Sequence, residues 1–345
     1  MSLQLSLLLL GGLVLLAMVV YSNWLTRKNT PRQAEPLEPR LPEVLDGRIE
    51  PHMSEHPLDG DSFASARPVA EKKPGLDSLI DAIAPIALEA PVPGEAVLAA
   101  LPATRRVGSK PYAIEGFNMD SQRWEAPLAG QHYSQLQAGV QLANRSGALN
   151  DIEFSEFVMK TQDFCDVING TPDMPVMRSE VNRARELDQF ASGHDAQLVL
   201  MVHARRAAWS PNYIQQTAAK FGFVMGSLAG RMVIPASVSG LPPVVSLSFD
   251  AMAALADDPT QSALRQVTLG LDVAQVERGE KPFERMCEVA DALAQEMDGI
   301  VTDDQGAAFL PEGMALITTE LAQLYDTLAE RELAAGSPLA RRLFS

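Results

Sequence analysis

The chain has 345 residues, and 44 acidic against 28 basic side chains leave a formal charge of −16. That balance excludes nucleic acid as a partner and excludes a body lying flat on anionic lipid. Two cysteines, Cys165 and Cys287, exclude a disulfide framework, and the length leaves room for one or two folded domains and a linker.

No charged side chain occurs from Ser2 to Thr26, and Leu3 to Leu25 is dominated by Leu, Val, Ala, Met and Gly. A helix rises about 1.5 Å per residue, so ~20 such residues cross a hydrocarbon core roughly 30 Å thick. A transmembrane helix is expected over residues 5–25, with residues 1–4 as a short tip outside. Tyr21 and Trp24 close the run, where aromatic rings favour the headgroup layer. Arg27, Lys28 and Arg32 follow the span and no Lys or Arg precedes it, which directs the C-terminal bulk to the cytoplasm. A cleaved signal peptide would carry its basic residues on the other side of the apolar run and end in small residues, not in Val19-Val20-Tyr21.

Residues 26–108 read as a disordered, Pro-rich linker, because roughly half of the 24 prolines fall there among Glu, Asp, Ala and Arg. Within it, Leu76, Leu79, Ile80 and Ile83 recur at helical spacing until Pro85. That segment is expected as a short transient helix, or as a docking segment that folds on a partner or on the body.

An additional α+β module is expected over 109–193. Tyr112 to Phe117 and Gln135 to Leu142 read as strands, and helices follow at about Ser155 to Ile168 and from Met177 to Phe190. A second series begins with the apolar run Leu198 to Val202. Ser210-Pro211 opens a helix closed by Gly222, with Ser as cap and Pro at the first position. Strands are expected at Phe223 to Leu228, Met232 to Ile234, Val244 to Phe249 and Gln266 to Val273. A helix then spans Lys281 to Met297, Ile300 to Thr302 is a short strand, Asp303 to Gly306 a turn, and a last helix starts at Pro311. Strands in series followed by helices, without strict alternation, predict an α+β fold with an antiparallel sheet whose other face is partly exposed. The two series also parallel one another: Gly139 to Leu142 with a helix ending at Asn169-Gly170, against Thr268 to Leu271 with a helix ending at Asp298-Gly299, separated by about 129 residues.

No phosphate loop, nucleophile elbow or His-Glu-x-x-His motif occurs, so catalytic residues, metal ligands and cofactors are all expected to be none. His52 and His56 have i, i+4 spacing but stand in Pro-flanked linker. Cys165 and Cys287 fall within amphipathic helical patterns and read as buried small hydrophobes. Trp124 and Trp209 read as packing residues at element ends.

The layout of outer tip, span, basic flank, Pro-rich tether and C-terminal α+β domain resembles the ZipA family, bacterial membrane anchors for the tubulin-like division protein FtsZ. Locally the likeness runs from about Gln197 to Ala329. Leu198 to Val202 is similar to the family's first strand, Lys220-Phe221-Gly222-Phe223 to its helix-to-strand step, and Pro243 to Leu247 to a central strand. Asp298-Gly299-Ile300-Val301-Thr302-Asp303-Asp304-Gln305 is similar to the strand and turn after the penultimate helix.

The resemblance implies a ZipA-like domain over 194–334, a split β-α-β antiparallel sheet with helices on one face. Its bare face would hold the C-terminal peptide of FtsZ and link it to the inner membrane at midcell, with no enzymatic activity. Carried over by position, the groove comprises Val199 and Met201 from the first strand, Leu228 from the second, Val244, Ser246 and Ser248 from the third, and Thr268, Gly270 and Asp272 from the fourth. The chain departs from the family pattern at Gly270, where an aromatic is usual. A reading from another class is a membrane-anchored enzyme, or an adaptor for a different division protein, with a site in the 110–193 module. It calls for close-set titratable groups in a deep pocket.

Overall fold

A computed structural model of the chain describes residues 31–34, 75–256, 262–309 and 311–345. The expected span over 5–25, the tip, most of the linker, and His52 and His56 lie outside the described residues. Among the described residues no helix is long and apolar enough to cross a membrane. Two units divide the chain. The first comprises Lys72–Leu198, Asp272–Pro282 and Glu312–Ser345; the second comprises Val199–Leu271 and Phe283–Pro311, with residues 31–34.

In the first unit, β1 (Asp81–Leu88), α1 (Gly94–Ala100), β2 (Lys110–Asn118), β3 (His132–Gln141), α2 (Asp151–Ile168), β4 (Gly170–Pro172) and α3 (Met177–His194) follow in chain order. The sheet runs β2-β3-β1-β4, antiparallel throughout, with short strands added at Val92–Pro93, Arg106–Val107 and Trp124–Glu125. Alternation decides its faces: Ala82, Ala84, Ile86, Tyr112, Ile114, Leu136, Ala138 and Val140 are buried on one side, where Phe154, Phe157 and Phe164 of α2 are buried too. Asn150 begins α2 with a capping box, accepting from Ile152 N and Glu153 N while the Glu153 carboxylate takes the Asn150 N–H.

The expected linker over 26–108 is corrected in its last part. Gly75–Ile80 is an ordered strap and turn, and Asp81–Leu88 is a central strand, not a helix. The helical spacing of Leu76, Leu79, Ile80 and Ile83 concealed a second pattern of period two, Ile80, Ala82, Ala84 and Ile86, all at 2 % exposure or less. Pro85 does not end the element, since its carbonyl still accepts from Asp173 N at 2.8 Å. Residues 31–34 are ordered as well, bridging Trp209 in the second unit.

In the second unit, β5 (Gln197–Ala204, its first two residues counted with the first unit), α4 (Pro211–Lys220), β6 (Val224–Met225), β7 (Arg231–Ile234), β8 (Val245–Ser248), β9 (Gln266–Asp272, its last residue counted with the first unit), α5 (Pro282–Met297, its first residue likewise) and β10 (Gly299–Thr302) follow. The sheet runs β6-β7-β8-β9-β5-β10. Leu200, Val202, Met232, Ile234, Val245, Leu247, Val267, Leu269 and Leu271 are buried on one face, and Ile214, Ala218, Met286, Ala290, Leu293 and Met297 of α4 and α5 are buried likewise. Ser210 caps α4 by accepting from Tyr213 N, and the fully buried Trp209 donates Nε1–H to Met297 O at 2.9 Å. α6 (Pro311–Glu330) and α7 (Pro338–Leu343) complete the chain.

The two units repeat one plan. Strand order β2-β3-β1-β4 matches β8-β9-β5-β10. In each, the helix after the third of these strands in sequence ends on a non-glycine residue at positive φ, Asn169 at 53° and Asp298 at 56°. A glycine follows and opens the edge strand, pairing Gly170 with Leu88 and Gly299 with Ala204. A Cβ on either glycine would meet a β-branched side chain of the neighbouring strand, Ile86 Cγ2 at 2.8 Å or Val202 Cγ1 at 2.7 Å. Across the sheets, Ala113↔Gly139 and Glu115↔Gln137 correspond to Ser246↔Gly270 and Ser248↔Thr268. Gly139 therefore matches Gly270, a shift of two from the alignment read off the sequence, because α2 has 18 residues and α5 has 16.

Candidate functional site

The candidate site is the face of the second sheet opposite α4 and α5. Its residues are the alternate members of each strand, which the two-residue period turns away from the core. Cross-strand pairing aligns one row, Val224↔Val233↔Ser246↔Gly270, and a second, Arg231↔Ser248↔Thr268. β5 adds Val199, Met201 and His203, and β10 adds Ile300 opposite His203. Large apolar side chains stand open here: Val224 is 50 % exposed, Ile300 42 % and Val199 39 %. Between them Ser246 and Gly270 are short, so the middle of the row is a depression walled by valines. A Cβ added to Gly270 would meet only Ser246 Oγ, at 3.0 Å.

Of the residues expected in the groove, Val199, Met201, Ser246, Ser248, Thr268 and Gly270 share this face. Val244 does not: it precedes β8, is fully buried and donates its N–H to Ile234 O. The strand begins one residue later than expected, so a position of the right parity became a core position. Leu228 is 61 % exposed but lies in the turn between β6 and β7, because β6 stops at Met225. Asp272 ends β9 with its carboxylate held 2.7 Å from Arg145 Nη1 in an ion pair, so it offers no free charge to the face. Sequence reasoning missed Val233, Val224 and Ile300. The alternation Arg231-Met232-Val233-Ile234 was the available signal for Val233.

The corresponding face of the first sheet is covered by the chain itself. Leu76 lies over Gly139: a Cβ placed there would stand 2.7 Å from Leu76 Cδ1 and closer still to Cδ2. The Leu76 N–H donates to Glu115 Oε1 at 3.0 Å, and Gln137 Nε2 holds the other carboxylate oxygen at 2.9 Å. Arg342 donates to both oxygens of the buried Asp81, at 2.5 and 3.0 Å, and its carbonyl accepts from Gln141 Nε2. Burial pushes the Asp81 carboxyl above the usual carboxylate range, against the opposing pull of the Arg342 guanidinium.

Both thiols are buried and free. Burial pushes Cys165 up to about 11 and Cys287 up to about 12, so neither is a nucleophile near neutral pH. Asp303 closes a turn, accepting from Gln305 N and Ala307 N.

Residues 251–320 match the family model described as ZipA, C-terminal FtsZ-binding domain. The matched segment includes β9, α5 and β10, and it supports a ZipA-type protein. No curated protein matches the chain.

Proposed function

We propose that the chain is a membrane-tethered adaptor of bacterial cell division that binds the C-terminal tail of FtsZ on the open face of the second sheet. The row Val224, Val233, Ser246 and Gly270 carries this reading: an uncovered, largely apolar trough beside a strand of the family-matched segment. The partner is a peptide, because a shallow sheet face offers side-chain contacts along a line and encloses no small molecule. Its role is recruitment, not catalysis.

The physics of such a face sets weak binding for a single tail. Burial contributes roughly 25 cal/mol per Å² of apolar surface, so one aliphatic side chain adds about 1.5–3 kcal/mol. An FtsZ filament displays many tails, and tethers on a membrane raise the effective concentration of the second encounter. The apolar residues 5–25 anchor the chain in the inner membrane, N-terminus outside and bulk in the cytoplasm, and the Pro-rich stretch after them gives the sheet its reach to filaments at midcell.

The test is retention of FtsZ tail peptide by the full-length chain, compared with Met201→Lys and Val233→Glu. Each variant places a charge on the trough and is expected to weaken retention by at least ~10-fold. Retention unchanged in both, or none by the unaltered chain, overturns the reading. An alkaline-phosphatase fusion after residue 40 should be inactive if the topology is as proposed.

A further inference from the structure

We propose that Gly270 is the seat of a leucine- or isoleucine-type side chain of the bound peptide, and that the first unit displays this mode of binding with its own strap. The proposal rests on the open face being the docking face and adds which residue chemistry it selects.

Within the first unit, Gly75–Ile80 crosses the sheet as a bound segment would. Leu76 sits on Gly139, where any side chain would displace it, and its backbone N–H is taken by Glu115, which Gln137 steadies from the adjacent strand. The second unit holds the same seat. Gly270 stands at the position of Gly139, and Ser248 paired with Thr268 stands at the position of Glu115 paired with Gln137. On the covered sheet Gly139 is flanked by Ile83 and Ala113, and on the open sheet Gly270 has Ser246 beside it. The difference is the occupant. The residues preceding β5, which correspond to the strap, belong to α3 (Met177–His194) and its C-terminal cap, so no strap of that kind precedes the second sheet.

A glycine in the middle of a strand weakens it, and the recurrent reason for one is close approach of another chain. In the first unit that reason is visible, and at Gly270 the same geometry stands open. The seat admits a branched aliphatic side chain lying flat on the backbone, and a serine hydroxyl and a threonine hydroxyl replace the carboxylate as acceptors for the peptide N–H. An aromatic wall at this position would close the seat; glycine makes it deeper and narrower in its selection.

The test uses two fluorescent peptides against the full-length chain: the FtsZ tail, and a copy of Gly75–Asp81 from this chain. Gly270→Leu, filling the seat, should weaken both by about 10-fold or more, and Gly270→Ala by a smaller factor. Replacing Leu76 by Ala in the peptide copy should weaken binding to the unaltered chain equally and cause no further loss with Gly270→Leu, as coupled partners require. Amide exchange of β8 and β9 checks that Gly270→Leu is folded; if it is not, Gly270→Ala and the Leu76→Ala peptide carry the test alone. Binding of the FtsZ tail undiminished by Gly270→Leu overturns the seat and leaves the adaptor reading standing. No binding of the FtsZ tail, with seat-dependent binding of the strap copy, rejects FtsZ and keeps the seat. Binding of neither peptide overturns both.

Discussion

The two sheets share the order of four strands, their register and their glycine positions, yet among the described residues one face is covered and the other is open. In the first unit the face opposite α2 carries the buried Asp81, Glu115 and Gln141 and the half-buried Gln137. The Leu76 N–H and Gln137 hold the Glu115 carboxylate, Arg342 holds Asp81, and the Gln141 amide N–H donates to the Arg342 carbonyl, while Gln141 Oε1 has no hydrogen-bond partner among the described residues. In the second, Ser248 and Thr268 stand at the positions of Glu115 and Gln137, and Gln197 and Asp272 at those of Asp81 and Gln141, while the valines of the row lie on β6 and β7, outside the four matched strands. Buried charge fixes a permanent internal contact, because an unpaired carboxylate is costly to leave. Small hydroxyls and valines leave a face that tolerates water and still gains from covering. One plan thus carries a face held shut by internal hydrogen bonds in one unit, and in the other a face that the proposed tail peptide would cover.

The largest expected effect breaks the sealed face. Arg342→Ala leaves the fully buried Asp81 side chain without its cation, and removing one partner of a buried pair typically costs about 3–5 kcal/mol. Asp81 is already raised by burial, and loss of Arg342 raises it further. A raised carboxyl favours the fold when protonated, so the deficit is full at neutral pH and shrinks as pH falls through the folded-state value. Amide exchange of β1 and β3 should accelerate, while β8 and β9, in the second unit, should keep their protection.

The next contrast is between matched glycines. Gly139→Ala forces Leu76 off its seat and should destabilise the first unit by about 1–3 kcal/mol, as overpacking does. Gly270→Ala meets only a serine hydroxyl that can rotate, and should change stability by no more than about 0.5 kcal/mol. Equal losses at the two sites would show that the second face is covered after all. Each unit carries its own reporter for denaturant titrations, Cys165 in the first and Cys287 in the second.

Those thiols also predict a pH dependence. Both are raised by burial, to about 11 and about 12, so they stay protonated in the fold while an unfolded thiol near 9 ionises. Their contribution to stability is complete below the unfolded value and is lost as pH rises from there toward the folded values. Urea midpoints should fall between pH 9 and 11, and Cys→Ala at either position should flatten that decline for its own unit. At pH 8 both should react slowly with iodoacetamide until urea exposes them.

Much of the second unit was legible, because its signals are strong and local. Ser210-Pro211 marks a helix start, Gln266 to Leu271 alternates cleanly, and Asp298-Gly299 is an abrupt stop. The existence of β5 was legible as an apolar run, but a continuous run does not mark its faces, and Val199 and Met201 were placed by the resemblance alone. Val244 failed because one residue of strand boundary separates a groove position from a core one. Leu228 failed because Phe223 to Leu228 has the composition of a strand, but the paired ladder with β7 stops at Met225, and Gly226 N–H and the Leu228 carbonyl instead bond to Arg231 to close the turn. The strand Asp81–Leu88 was misread for a deeper cause. Its core side is alanine, which carries little apolar signal, and its partner is some fifty residues away, so local periodicity favoured a helix that the long-range ladder with β3 overrides.

The smallest expected effect tests the repeat itself. Asn169 and Asp298 both end their helices in the left-handed region, where a side chain is strained and glycine is not. Asn169→Gly should raise the stability of the first unit by up to about 1 kcal/mol, since the backbone bond from its N–H to Cys165 O is kept. Asp298→Gly gains the same relief but gives up an exposed ion pair with Arg32 at 3.7 Å, worth about 0–1 kcal/mol. Its net gain should therefore be smaller, and 0.5 M salt, which screens the pair, should bring the two gains together. Amide exchange of β4 and β10, the edge strands that each cap feeds, measures both. A loss of stability at either site would mean that the cap is held by its side chain, and that the two units do not end their helices by one device.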